Sequence, residues 1–322
     1  MEFYPLVFSP ELHNRVWGGR NLESVLGKQL PPDVPIGESW EIHDKNKVIN
    51  GLLKEKTLAE IIREFPKEIA GIKFEGGDFP LLTKFLDARE WLSVQVHPDD
   101  LLAQALEGQP RGKTECWYIL DAEPDAVIMY GLSEKMNADD FRKAIEQQTL
   151  KEKLHYSKVK KGDFVFVPAK TIHAIGPGIV LYELQQTSDT TYRLYDWDRM
   201  GLDGKPRELH LEKGLLCSNF DDIQPILTQD FLTEFYEHYS KMQLTKSTYF
   251  SLDRIYNISG SIAVEKSQET PHILSIIEGT ATLKGGFDTV TITKGESCLI
   301  PAIIRDYTLV CDGDCEILCA YY

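Results

Sequence analysis

Two imidazoles and a carboxylate, His97, Glu115 and His173, head the residues whose types and settings could carry chemistry. The run Trp91-Leu92-Ser93-Val94-Gln95-Val96-His97, read as a strand, sets Ser93, Gln95 and His97 on one face and Leu92, Val94 and Val96 on the other. In Lys113-Thr114-Glu115-Cys116-Trp117-Tyr118-Ile119 the same alternation puts Lys113 and Glu115 on one face with Trp117 and Ile119. His173 stands five residues past Pro168, which closes a Gly-x5-Pro turn signal opened by Gly162. Polar side chains turned into a barrel cost several kcal/mol each unless they find partners or bind something. With Gln95 as a candidate fourth donor, the set suits zinc with an open position, or non-haem Fe(II) in a facial triad. A single histidine at a strand end is more often solvated or bonded in the core than a ligand; the agreement between strand faces and turn is what singles out this set.

The elements that must position these residues are mostly strands. Short runs rich in Val, Ile, Tyr, Phe and Trp, bounded by Gly, Asp and Pro, recur from Val16 to the C-terminus. Three helices interrupt them. Thr57-Leu-Ala-Glu60 is a capping box whose helix should stop near Pro66. Pro98-Asp99-Asp100 opens a second with Gly108 as its stop, and Asn137 caps a third expected over Ala138 to about Leu154.

A long-range echo organises the strands. Lys161-Gly162-Asp163 through Pro168-Ala169 matches Lys294-Gly295-Glu296 through Pro301-Ala302, and His173 and Asp306 each follow the proline by five residues. Upstream, Glu115 through Asp121 matches His272 through Glu278. The echo implies two similar β-domains, the first metal-competent and the second, with His272 and Asp306, structural. This is the pattern of small cupin barrels. The expected organisation is mainly β, two tandem cupin (double-stranded β-helix, jelly-roll) barrels with short helical insertions. The polar stretch Asp221 to Asp230 sets the expected boundary, with residues 1–228 the metal-binding barrel and 229–322 a second barrel without a metal site.

Composition narrows the partners. Against 50 Asp and Glu the chain has 35 Lys and Arg, a net charge of −15. No basic face is available for nucleic acid or an anionic membrane. Nowhere do about 18 apolar residues run together, and Met1 to Arg20 has no apolar core of a signal, so a cytoplasmic location is expected. The six cysteines are too scattered for a disulfide framework; Cys311, Cys315 and Cys319 crowd together without a CxxC pair or a neighbouring His. Nothing in the sequence speaks to oligomeric state.

Six motifs then converge on one family: Val16-Trp17-Gly18-Gly19, Gly37-Glu38-Ser39-Trp40-Glu41, Leu82 to Ala88, Ser93-Val94-Gln95-Val96-His97-Pro98, Lys113-Thr114-Glu115, and Glu183 to Arg193. The chain resembles type I mannose-6-phosphate isomerases, in particular the short bacterial form. The resemblance implies one zinc ion on Gln95, His97, Glu115 and His173, a catalytic Arg193, and Glu183 and Lys113 as polar active-site residues. It extends phosphate contacts to Lys84 and Ser93. The substrate class implied is a small sugar phosphate, with mannose 6-phosphate and fructose 6-phosphate interconverted by proton transfer through an enediolate. The residue types suit that chemistry: a Lewis acid for the oxygens, an always-charged Arg193, and Glu183 or Lys113 to move the proton, the base being unassigned. A cupin Fe(II) oxygenase and a non-catalytic sugar-phosphate sensor are the alternative readings.

Overall fold

The computed structural model describes residues 2–221, 226–227 and 231–322. The expected boundary at 228/229 lies outside the described residues. The fold is mainly β, as the strand-rich sequence implies, and forms two barrels, each of a seven-stranded sheet facing a smaller one. In the first barrel the large sheet runs, in spatial order, Ile226–Leu227, Phe164–Val167, Glu115–Ala122, Ile179–Gln186, Leu81–Ala88, Ile36–Ile42 and Glu11–Gly19. Its small sheet runs Tyr192–Tyr195, Val94–Val96, His173–Ile175, Val127–Leu132 and Leu154–Lys158. In the second barrel Leu6–Val7, Ser297–Ile300, His272–Glu278, Cys315–Tyr321, Ser251–Asn257, Tyr239–Lys246 and Leu232–Phe235 face Gly260–Glu265, Asp306–Cys311, Thr280–Lys284 and Val290–Thr293. The N-terminal strand Leu6–Val7 thus pairs with Cys298 and Leu299 of the second barrel.

The inward face of each long strand in the first barrel changes character along its length. Ile179 and Leu181, Ile119 and Trp117, and Leu86 and Ala88 build an apolar floor. Two residues further along the same faces stand Glu183, Glu115 and Lys84, so the register alone gathers charge at the mouth. A separate core, containing Phe85, Tyr182, Leu252, Ile273, Leu299 and Leu318, joins the two barrels through their large sheets. Across it Tyr118 donates to Glu316 Oε1 at 2.8 Å.

Local signals account for most helix ends. Thr57 caps Leu58–Glu64 with both bonds of its capping box present. Asp99 accepts from Leu102 N, and Gly108, left-handed at φ 65°, ends Asp100–Glu107. The third helix is shorter than its sequence suggests. It ends at Glu146, Gln148 takes φ 59°, and Leu150–Lys153 form a 3₁₀ turn before the strand Leu154–Lys158. That strand is recruited by Val127–Leu132, a tertiary pairing that outweighs local helix propensity. Likewise only Val94–Val96 of the 91–97 run is strand, and Leu92, expected beside Val94 and Val96, joins the barrel floor instead. Val94 and Val96 face outward against Phe141 and Leu215 of the helices Ala138–Glu146 and Leu211–Cys217.

The echo is structural. Ile119 bonds the turn before the strand Phe164–Val167 twice, its N donating to Asp163 O at 2.9 Å and its O accepting from Gly162 N at 2.8 Å. Ile276, Glu296 and Gly295 repeat them at 3.0 and 2.8 Å. Both glycines are left-handed, φ 89° and 83°, which an L side chain adopts only at a cost of about 1–2 kcal/mol. Their surroundings differ: a Cβ at Gly162 would have nothing closer than 4.0 Å, whereas at Gly295 it would meet Leu26 O at 2.4 Å. Gly162→Ala should therefore lose only that about 1–2 kcal/mol, and Gly295→Ala distinctly more, read from denaturant midpoints of the two variants.

Candidate active site

His97, Glu115 and His173 meet in the mouth of the first barrel, each about 1% exposed, with one donor atom from each lying within 4.8 Å of the others. His173 Nε2 is 3.4 Å from Glu115 Oε1, and His97 Nε2 is 3.6 Å from Glu115 Oε2. Both rings are aimed by backbone. His97 Nδ1 lies 3.0 Å from Thr190 O and His173 Nδ1 2.9 Å from Thr171 O. A carbonyl only accepts, so each Nδ1 carries the proton and each Nε2 turns a lone pair toward the carboxylate.

Burial sets the charges. It holds the His97 imidazole well below the usual histidine range, assisted by the Lys113 ammonium, and it lowers His173 as well. Burial alone would raise the Glu115 carboxyl, but the Lys113 ammonium outweighs it and holds that group below the ordinary carboxylate range. Lys113 Nζ sits 2.8 Å from Glu115 Oε2 and 3.4 Å from His97 Nε2. Desolvation would lower the Lys113 ammonium, yet Glu115 and Glu183 raise it, so it stays charged.

Two neutral imidazoles and an ionised carboxylate, their lone pairs converging with Nδ1 already tethered, fit a divalent cation that takes mixed nitrogen and oxygen donors. Gln95 adjoins them. It pairs in register with both His173 and Arg193, its Nε2 is 3.2 Å from His173 Nε2, and its Oε1 accepts from Ser93 Oγ at 3.2 Å. A half-turn of the amide exchanges these contacts and presents Oε1 among the other donors.

The remaining expected residues fall into two groups. Glu183 is buried beside the set, with Oε2 accepting from Trp117 Nε1 at 3.2 Å and Oε1 3.2 Å from Lys84 and 3.9 Å from Lys113. Lys84 is enclosed between Glu183 and Glu38, 3.8 Å away, with Trp40's ring under its ammonium, and Ser93 is equally buried. Neither Lys84 nor Ser93 offers a donor to open solvent. Arg193 lies at the edge of the site, its Nη1 donating to Glu208 O at 2.9 Å while its buried Nε has no hydrogen-bond partner. Asp196, the carboxylate that could have neutralised it, is taken by Arg199 and Arg207.

Three contributors were not read from the sequence as site residues. Glu38 anchors Lys84 and accepts from Arg15 Nε at 2.8 Å and Trp40 Nε1 at 2.6 Å; burial opposes its ionisation, but Lys84 and Arg15 bring its carboxyl down to about 2. Trp117 clamps Glu115 and Glu183 together through one N–H, and its place on the Lys113–Glu115 face was the available signal. Arg111 lines a cavity of about 400 Å³ at the barrel mouth together with Trp40, His43, Ser188, Asp189 and Thr190. Among the described residues Arg111 has no carboxylate within ion-pair distance, and nothing in its sequence neighbourhood set it apart from a surface arginine.

Two family models match the chain: phosphomannose isomerase type I, catalytic domain, over residues 6–129, and mannose-6-phosphate isomerase, cupin domain, over 240–322. The chain is 39% identical to the mannose-6-phosphate isomerase ManA of Bacillus subtilis, covering 97% of this chain and 98% of that protein. It is 36% identical to the mannose-6-phosphate isomerase of Streptococcus mutans, covering 98% of each. The crystal structure of the Bacillus subtilis mannose 6-phosphate isomerase superposes with a TM-score of 0.91 at 34% identity, over 99% of this chain and 100% of that one. The phosphomannose isomerase of Salmonella typhimurium shares the fold at 17% identity, with a TM-score of 0.77 over 98% of this chain and 99% of that one.

The donor set makes its own prediction. The purified chain should take up one equivalent of a divalent cation, with zinc as the probe, and His97→Ala, Glu115→Gln and His173→Ala should each weaken binding by at least about a hundredfold, the upper range for losing even a partner of a metal ligand. Competition against a chromogenic chelator measures this directly; three variants with unchanged affinity would remove the site.

Proposed function

The chain belongs to the type I phosphomannose isomerase family, and from that premise we propose that it is a zinc-dependent isomerase interconverting mannose 6-phosphate and fructose 6-phosphate through an enediolate. The observation that carries the reading is the pair of buried imidazoles, each with Nδ1 on a backbone carbonyl and Nε2 facing Glu115. The residues put forward to hold zinc are His97, Glu115, His173 and Gln95. Bound there, zinc supplies an electrophile for the substrate's carbonyl and hydroxyl oxygens, which a carbon acid this weak requires.

The reaction removes the proton from C2 of the open-chain aldose and returns one to C1, while O2 loses a proton and O1 gains one. Of the three carboxylates in the site, Glu115 belongs to the donor set and Glu38 is held by Arg15 and Trp40. Glu183 is left, and it is our candidate for the carbon-bound proton. Trp117 fixes its orientation by holding Oε2. Lys113, kept cationic between two carboxylates, is suited to stabilise negative charge on oxygen rather than to act as a base. Arg193, with no carboxylate partner among the described residues, is suited to hold substrate oxygens at the edge of the site.

The phosphate is assigned to the mouth. Lys84 and Ser93 keep a supporting role, Lys84 by its field and Ser93 through Gln95, while Arg111 in the adjoining cavity, with no carboxylate in ion-pair range among the described residues, is placed to meet a dianion. Apart from Leu6–Val7, which joins the second barrel's sheet, we also treat residues before and after the 228/229 boundary as separate barrels with the chemistry in the first. Family membership and the place of Gln95 beside the donor set weigh against the Fe(II) oxygenase reading.

Incubation with mannose 6-phosphate in heavy water, with and without a chelator, tests reaction and metal together by NMR. Fructose 6-phosphate forming only without chelator, with deuterium at C1 or C2, is the expected outcome; tight zinc with bound sugar phosphate and no turnover would instead support a sensor. Arg111→Ala should raise KM roughly ten- to a hundredfold, the worth of a charge-assisted hydrogen bond, with kcat little changed. Lys84→Ala should depress kcat more than it raises KM, because it unpins Glu183; the reverse pattern would return the phosphate to Lys84.

A further inference from the structure

The second barrel repeats the scaffold of the active site residue by residue, and it has not been filled in. Lys84 pairs in register with Glu183 and Trp40; Asp253 pairs with Cys319 and Gln243 in the corresponding strands. Two pairs along, Glu38 faces Leu86 where Lys241 faces Ile255, and on the other side of the Lys84 and Asp253 pairs both edges slip register, at Trp40/Ile42 and at Gln243/Thr245. The ion pair Glu38–Lys84 of the first barrel thus becomes Lys241–Asp253 in the second, 2.9 Å apart, with its charges exchanged. His272 takes the place of Glu115, and the strand after it carries Cys319 where the first barrel has Glu183.

A packed barrel would have closed over these groups. Instead a cavity of about 630 Å³ opens onto them, within the range of small-molecule sites. Asp253 is 1% exposed; its Oδ2 meets Lys241 and the Tyr321 hydroxyl (3.2 Å), but its Oδ1 is buried with no hydrogen-bond partner. Such an oxygen accepts O–H donors and loses free energy until it has one. Lys266 reaches into the same cavity, bonded to the carbonyls of Thr270 and Ala302 at 3.3 and 3.1 Å, with no carboxylate in ion-pair range among the described residues. Burial brings its ammonium down to about 8, and it lowers the His272 imidazole to about 3, with Lys266 and Lys241 adding to the effect, so His272 is neutral. The charged lining as a whole balances, Lys73, Lys241, Lys246 and Lys266 against Glu234, Asp253, Glu265 and Glu269, so the positive end of the cavity is local to Lys266. Tyr321 and His272, ring centroids 5.5 Å apart, give it a flat apolar wall.

We infer that the cavity of the second barrel is a binding site for a small anionic polyol of the sugar-phosphate class, with Lys266 at its anionic end and Asp253 on its hydroxyls. The side chains assigned to the ligand, Lys266 and Asp253, belong to the second barrel, and of the chain before the boundary only Lys73 lines the cavity, so the site stands or falls independently of the isomerase reading.

Calorimetric titration of the full chain with glucitol 6-phosphate, which cannot isomerise, tests it. One bound equivalent should persist in Glu115→Gln and vanish in Lys266→Met, and Asp253→Asn should weaken it at least tenfold, while turnover of mannose 6-phosphate at low concentration stays at the wild-type level in both second-barrel variants. Inorganic phosphate should bind this site at least tenfold more weakly than the polyol phosphate. On the unmodified chain, glucitol 6-phosphate should also protect Lys266 from acetylation, read by mass spectrometry, a measurement that does not depend on any variant folding. No equivalent sensitive to Lys266→Met together with no protection of Lys266 would overturn the inference, as would equal affinity for inorganic phosphate, which would reduce the site to a simple anion trap.

Discussion

An ionised carboxylate buried at 1% exposure, facing the lone pairs of two neutral imidazoles, is the interaction around which the first barrel is arranged. Left alone, such a group costs several kcal/mol and would take up a proton instead. The chain keeps it charged with donors that cannot leave, Lys113 at 2.8 Å and the Trp117 indole at 3.1 Å, while backbone carbonyls accept from the imidazoles and hold their bare nitrogens inward. Each support needs its own. Lys113 is balanced by Glu183, Glu183 by Lys84, Lys84 by Glu38, and Glu38 by Arg15. The result is a relay of alternating charge from the metal-competent set to the barrel rim, in which every member is expensive to bury singly and tolerable in sequence.

Such a relay can only be built on a rigid register, and this is why strand pattern made so much of the site legible. Period-two alternation placed Gln95, Glu115 and Trp117 on inward faces, and the capping signals at Thr57, Asp99 and Gly108 set helix ends. The paired echo of Lys-Gly-acid and Pro-Ala foretold two copies of one turn because a left-handed glycine and its bonded carbonyls leave a compositional mark. What lay beyond reach was decided by tertiary pairing. The third helix gives way to Leu154–Lys158 because a neighbouring strand recruits it, and Leu92 drops to the floor because the strand begins only at Val94. Arg111 was invisible for another reason: a lone arginine in a loop has no periodicity, and its significance comes from the cavity that other segments build around it.

The enclosure of Lys84 shows how residue type and location can part. A lysine near a sugar-phosphate site invites assignment to the phosphate, yet a buried ammonium between two carboxylates at 3.2 and 3.8 Å has its charge already spent. Moving it toward a ligand would leave Glu183 and Glu38 facing each other in a low-dielectric interior, where the penalty for an uncompensated charge exceeds the gain from one new contact. A guanidinium at the rim, with no carboxylate in ion-pair range among the described residues, loses much less by engaging a dianion.

The same reasoning bears on a chain of net charge −15 that handles an anionic substrate. Surface carboxylates more than about 8 Å away through solvent are largely screened at physiological salt. Inside the barrel screening is weak, and sign is set by the few groups lining the wall. In both barrels the ion pair at the centre of the wall comes from equivalent register positions, exchanged from Glu38–Lys84 in the first to Lys241–Asp253 in the second. A scaffold that tolerates either sign at one buried pair fixes only that the pair be complete. Which ligand each barrel admits then depends on what surrounds the pair: convergent imidazoles and a carboxylate in the first, a neutral His272 and an uncompensated Lys266 in the second.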